Sequence, residues 1–148
     1  MSTPFIETVA DVVRLRTAAE AWVGTPYAAD GCVKGAGCSC QLLPSAVLHE
    51  LGHTHPPAPA RGTLRKVELL PAMRAWLEAH PEHFAPVALD AIAPGDVLLI
   101  NAGTGHLALA LERGDMLHVW QHTGAHISAR ANIVTRIVGA WRPVVPAL

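Results

Sequence analysis

The sequence has no excess of positive charge: 11 lysines and arginines stand against 12 aspartates and glutamates, a net charge of −1 with histidine neutral. Without a basic field a protein neither neutralises a phosphate backbone nor holds an anionic lipid surface, so neither nucleic acid nor membrane is an expected partner. No stretch approaches the roughly 18 apolar residues of a membrane span. The first residues, Met1-Ser2-Thr3-Pro4-Phe5, lack the basic segment and apolar run of a secretory leader, so synthesis without export by that route is expected. Cysteine is scarce too. Cys32, Cys38 and Cys40 fall within nine positions. An odd number so closely spaced is a poor framework for stapling a fold, and reduced thiols with a chemical role are expected.

What is present is apolar. At 51% hydrophobic over 148 residues, the chain can bury the core of a single domain spanning 1–148. Thr3-Pro4 offers a cap with proline at the first helical position, and Val9, Val12, Leu15, Ala19 and Trp22 recur at helical spacing towards Gly24. A loop is expected from Gly24 to Gly37, then a helix from Ser39 or Cys40 to near Gly52, then an irregular proline-rich stretch. Val67, Leu70, Met73 and Leu77 predict a third helix, started late or kinked by Pro71. After Pro94-Gly95 the pattern turns to strands: Val97–Ile100, His106–Leu111, Met116–Gln121 and Val134–Trp141. Helices first and a sheet afterwards predict an α+β domain, N-terminal helices packed on a C-terminal antiparallel sheet.

Cys40 stands where the second helix should start, behind the glycine-rich approach Gly35-Ala36-Gly37-Cys38-Ser39. A helix N-terminus favours thiolate and presents free N–H groups to an oxyanion, which makes Cys40 a candidate nucleophile. A small buried hydrophobe, or a zinc ligand together with Cys32 and Cys38, are the competing readings of the same residue. Two candidate partners lie on a hairpin. With Glu112-Arg113-Gly114 as a three-residue turn and Gly114 left-handed, Leu111 faces Asp115 and His118 faces Ala108. His106 and His118 then share a face as diagonal neighbours, and the small Ala108 and Ala110 leave room there for the helix carrying Cys40. The tryptophans, including Trp120, are expected in the core, and His122 and His126 in solvent.

A second motif competes. His49-Glu50-Leu51-Gly52-His53 matches H-E-x-x-H, in which two histidines one helical turn apart hold zinc and the glutamate activates water; His55, Glu68 or Glu78 would be the third ligand. Gly52 argues against it by ending the helix before His53.

The blocks Gly24-Thr25-Pro26-Tyr27, Val33-Lys34-Gly35-Ala36-Gly37-Cys38-Ser39-Cys40, Pro94-Gly95-Asp96-Val97, Gly105-His106-Leu107, Leu117-His118 and Trp141-Arg142-Pro143 occur in that order. Together they resemble NlpC-type cell-wall cysteine peptidases, most closely the branch found in phages and gene transfer agents. The resemblance implies a papain-like core and hydrolysis of peptide bonds in peptidoglycan stem peptides. Cys40 would be nucleophile, His106 general base and acid, and His118 the orienting residue. Tyr27 and Ser39 would border the oxyanion and substrate, with the Cys40 N–H as an oxyanion donor. No metal or other cofactor is implied. Phage-like tail proteins become candidate partners and a virion tail tip a candidate location. A catalytically inactive tail component of the same fold is the alternative. The sequence departs from the family pattern in two places: Ser39 stands where an aspartate usually precedes the nucleophile, and Pro44 predicts a distorted first helical turn.

Overall fold

Helix α1 (Val9–Trp22) begins at Thr8, whose hydroxyl accepts from the Asp11 N–H while the Asp11 carboxylate accepts from the Thr8 N–H. This reciprocal cap, rather than Thr3-Pro4, sets the start of the helix. The computed structural model describes residues 2–146, and its first segment, β1 (Ser2–Pro4), pairs antiparallel with the end of the last strand. That partner lies some 140 residues away, beyond the reach of any local pattern.

Helix α2 runs from Leu43 to Glu50 and α3 from Lys66 to Glu78. Pro71 lies inside α3 without stopping it. Leu69, Met73, Trp76 and Leu77 are all buried along that helix, and each such burial contributes about 1.5–3 kcal/mol. Together they outweigh the roughly 3 kcal/mol an interior proline costs. No helix among the described residues is long and apolar enough to cross a membrane.

The sheet comprises β4 (Phe84–Val87), β5 (Val97–Asn101), β6 (Gly105–Ala110), β7 (Asp115–Trp120), β8 (Gly124–Ala129) and β9 (Ile137–Pro146), together with β1. Its order is β1-β9-β5-β6-β7-β8, with β4 also on β9, and all pairings are antiparallel. The last strand starts later than the sequence suggests, because Val134 belongs to the 3-10 turns of Arg130–Arg136. It also continues through Pro143, where its pairing passes from β4 to β1.

Alternation along β6 divides the core. Leu107 and Leu109, with Leu111, join Leu117, Val119 and the buried faces of all three helices. Ala108 and Ala110 lie on the other face with Leu98, Ile100, Met116 and Ile137. The expectation that the Ala108/Ala110 face receives the Cys40 helix is therefore overturned: α2 packs on the leucine face, and the small residues sit within a second apolar cluster.

A short hairpin, β2 (Cys32–Val33) and β3 (Gly37–Cys38), sets Cys32 directly opposite Cys38, and the two are disulfide-bonded with Cα atoms 3.9 Å apart. This corrects the expectation of three reduced thiols. The turn through Gly35, at φ 80°, makes the two sulfurs cross-strand neighbours and leaves Cys40 as the free thiol.

Candidate active site

Cys40 lies between β3 and α2, three residues ahead of the helix rather than at its first turn. The Ser39 carbonyl accepts from both the Leu42 and Leu43 N–H groups, and this tight turn precedes the helical run. Pro44 consequently occupies the first turn of α2, where backbone N–H groups have no intrahelical acceptor; it has no N–H to give the Cys40 carbonyl, and residues 40–42 form a turn with the helical run starting at Leu43.

The Cys40 sulfur comes in where β6 and β7 part. Their ladder holds Leu109 opposite Leu117 and Ala110 opposite Met116, the register of the three-residue turn, with Gly114 at φ 74° and Arg113 also left-handed at φ 62°. The thiol is 4.0 Å from the Gly105 carbonyl and 3.5 Å from Gln41 Oε1, towards either of which it can donate. Burial pushes the Cys40 thiol up from its usual value; the N–H groups of Leu107, Cys40 and Gln41 and the Arg61 guanidinium work in the opposite direction. A resting thiol, not a thiolate, follows.

His106 and His118 meet behind the sulfur. His106 Nε2 is 3.0 Å from His118 Nδ1, and His118 Nε2 is 2.8 Å from Ser128 Oγ on β8. If His106 Nε2–H donates to His118 and His118 Nε2–H to Ser128, His106 Nδ1 keeps its lone pair. Both rings are buried. Burial, then the neighbouring His118 and His126, hold His106 down to about 3; burial and then His126 hold His118 to about 4.

A cleft of about 120 Å³ is lined by Cys40, His106, Tyr27, Gln41 and Trp120. Three of the sequence-predicted residues, Cys40, His106 and Tyr27, open onto it, and His118 supports it from behind. Ser39 does not line it: the residue is fully buried and its hydroxyl has no hydrogen-bond partner among the described residues. Trp120 is not in the core as expected. It shares the parity of His118 and stacks on His106, ring centroids 4.1 Å apart. His126 is half-buried, with its ring centroid 4.3 Å from that of His118, rather than solvated. Sequence reasoning missed Ser128 because β8 went unrecognised; the alternation of His126 and Ser128 was its available signal.

The H-E-x-x-H residues do not form a ligand set: His49 and His53 both meet His55, His49 stacked on its ring with centroids 3.8 Å apart and His53 Nδ1 2.8 Å from His55 Nδ1, but Glu50 is turned away from them. Glu50 binds Trp22 Nε1 and Lys34 Nζ, His49 Nε2–H donates to the His55 carbonyl, and His53 Nε2–H donates to the Val144 carbonyl. Of the possible third ligands, Glu68 pairs with Arg65 and Glu78 with Arg74. Among the described residues no group of three or more histidine, cysteine or acidic side chains is arranged to hold a metal ion.

No family model matches the chain, and no curated protein matches it in sequence. Solved structures do resemble it. An NLP/P60-family protein from Staphylococcus aureus, described as similar to lipoprotein, superposes with a TM-score of 0.64 at 19% identity over 98% of this chain, which spans 45% of that protein's length. The NlpC/p60 domain of the peptidoglycan hydrolase SagA gives 0.58 at 15% identity, over 92% of this chain and 98% of that one. The P60 domain of an antigen from M. avium subspecies paratuberculosis gives 0.54 at 16%, over 89% and 92%. The chain therefore has the fold of these NlpC/P60 structures.

Proposed function

We propose that this chain is a cysteine peptidase that hydrolyses peptide bonds in the stem peptides of bacterial peptidoglycan. The observation that carries the reading is the opening of one free thiol, Cys40, and one relayed imidazole, His106, onto the same cleft. The fold shared with a domain of the peptidoglycan hydrolase SagA supports the substrate class.

The chemistry starts from a neutral pair. As the Cys40 sulfur attacks the scissile carbonyl, His106 Nδ1 takes its proton, a C–S bond forms and the carbonyl oxygen gains the charge. The Cys40 N–H supplies an oxyanion donor, with Tyr27 at the cleft wall. His106 returns the proton to the leaving amine, and a water deprotonated by the same ring hydrolyses the thioester. His118 and Ser128 keep the His106 ring in the tautomer that presents Nδ1.

The sequence blocks extend the proposal to an enzyme associated with a phage-like or gene-transfer-agent tail, made in the cytoplasm and carried at the tail tip. One observation favours the silent tail component instead: the Cys40 thiol faces Gln41 Oε1 and Gly105 O, and no Cys40–His106 hydrogen bond is present among the described residues. Digestion of purified peptidoglycan separates the two. Release of stem-peptide fragments by the wild type but by neither Cys40→Ala nor His106→Ala supports the peptidase. Stable, correctly folded protein that releases none, across wall types, and co-purifies with tail proteins supports the silent component.

A further inference from the structure

Gln41 lines the same cleft as the thiol, yet it is only 4% exposed, so both ends of its amide need partners inside the protein. Its Nε2–H donates to the Ala29 carbonyl at 3.4 Å, and its Oε1 stands 3.5 Å from the Cys40 sulfur. Among the described residues no donor but the Cys40 thiol reaches that oxygen. The Gly105 carbonyl, at 4.0 Å, is the more distant of the two acceptors that face the sulfur.

The backbone sets the direction of the amide. Ala29 lies between two residues pinned to the strand that leads to Cys40: the Ala28 N–H donates to the Cys38 carbonyl at 3.1 Å, and the Gly31 carbonyl accepts from the Ser39 N–H at 3.1 Å. A carbonyl accepts and cannot donate, so turning the amide over would set Oε1 against the Ala29 oxygen and leave both without a donor. Gln41 therefore offers the sulfur an acceptor, and not the N–H of an oxyanion donor. An acceptor suits the thiol and opposes the thiolate: ionisation breaks the hydrogen bond and leaves two electron-rich atoms face to face. The same contact occupies the proton that His106 must take, and no Cys40–His106 hydrogen bond is present among the described residues.

We infer that Gln41 is a positioning residue that holds Cys40 at rest as a thiol, and that the sulfur must leave the Gln41 oxygen before it can pass its proton to His106. This rests on the peptidase reading and deepens it by naming a residue that controls the nucleophile.

The test reads the thiol directly and needs no turnover. With the Cys32–Cys38 disulfide intact, Cys40 is the free cysteine, and its alkylation by iodoacetamide, which joins carbon to sulfur and expels iodide, is followed from neutral to alkaline pH. Gln41→Met keeps the length of the side chain without its oxygen. The midpoint of its pH–rate profile is expected to fall by about 0.5 to 1 pH unit. Below the midpoint alkylation should then run about two- to fourfold faster, the gain in thiolate being partly offset by its weaker nucleophilicity. Gln41→Glu keeps an oxygen beside the sulfur and adds charge, so its midpoint is expected to rise. A residue that merely filled space would not move the two midpoints in opposite directions. Midpoints unchanged in both variants, or moved the same way, overturn the inference. If the methionine variant does not fold, the glutamate variant carries the test, and a midpoint unmoved or lowered in it overturns the inference. If the midpoints move as expected yet neither the wild type nor Gln41→Met cuts peptidoglycan, the resting contact stands and the peptidase reading fails. If peptidoglycan is cut while the midpoints stay put, the resting contact fails alone.

Discussion

Trp120 lies flat against His106, the ring planes within 4° and the centroids 4.1 Å apart. An indole in that position keeps water off the imidazole, and with burial dominating, His106 stays neutral far below the usual histidine range. A ring held to about 3 is competent as a base throughout mild acid, so its protonation does not set an activity limb near pH 6.5. Trp120→Ala is expected to move the His106 titration upward towards the ordinary value. Ring-proton NMR followed from pH 7 to 3 measures it, and an unchanged titration removes the indole as the cause.

Ser128 is the outer end of the relay. Removing its hydroxyl leaves the His118 Nε2–H without its acceptor in a part-buried site, at a cost of about 1–3 kcal/mol if the tautomer is to be kept. For a working peptidase, Ser128→Ala should lower kcat about tenfold with little change in KM. Ser128→Thr, which restores the hydroxyl, should recover most of it. Loss confined to KM, or no recovery with threonine, argues against a relay.

The parts of the fold legible in sequence were those encoded locally. The β6–β7 hairpin, including its register, follows from Gly114 and the alternation on either side, and α3 from its apolar period. The failures share a physical cause: the deciding partner is remote. β1 exists because of β9, and the choice of face for α2 depends on which side of β6 the leucines leave for the helices. The disulfide was hidden by counting three cysteines rather than folding the hairpin that pairs two of them. In the site, Cys40, His106, His118 and Tyr27 could be named from the chain; Ser128 was legible only through the alternation of His126 and Ser128 on β8, and Arg61 and Lys66, which also line the cleft, carry no local signature.

Gly105 places α3 and the thiol together. A Cβ at this position would stand 2.5 Å from the Leu70 nitrogen and 2.7 Å from the Leu69 carbonyl carbon, both backbone atoms of α3 that cannot swing aside. Gly105→Ala must therefore push the helix off β6, an overpacking cost of about 1–3 kcal/mol. A fall in Tm of about 2–10 °C is expected, together with an altered Cys40 alkylation rate, since the Gly105 carbonyl faces that sulfur. An alanine variant with wild-type Tm would show that the approach of α3 is looser than the close contact implies.

A second buried histidine pair should make the fold acid-sensitive. His53 Nε2–H donates to the Val144 carbonyl at 2.9 Å, so in the neutral ring Nδ1 accepts, from His55 Nδ1–H at 2.8 Å, and His55 Nε2 accepts from Ser45 Oγ–H at 2.7 Å. A proton on both rings would set N–H against N–H. Burial first, and then the neighbouring histidines His49, His53, His83 and His80, hold His55 down to about 3; burial also lowers His53. The unfolded chain binds protons at these positions below about 6.5, where the folded protein refuses them. Stability therefore falls as pH drops from about 6.5 towards 3, by up to about 1.4 kcal/mol per pH unit for each ring. His106 and His118 act in the same direction, so a variant must isolate the pair. His55→Asn keeps a donor near His53 Nδ1 but does not titrate. It should be less stable at neutral pH, yet its urea midpoint should fall less steeply between pH 6 and 4 than that of the wild type. Parallel slopes for the two proteins would place the acid sensitivity elsewhere.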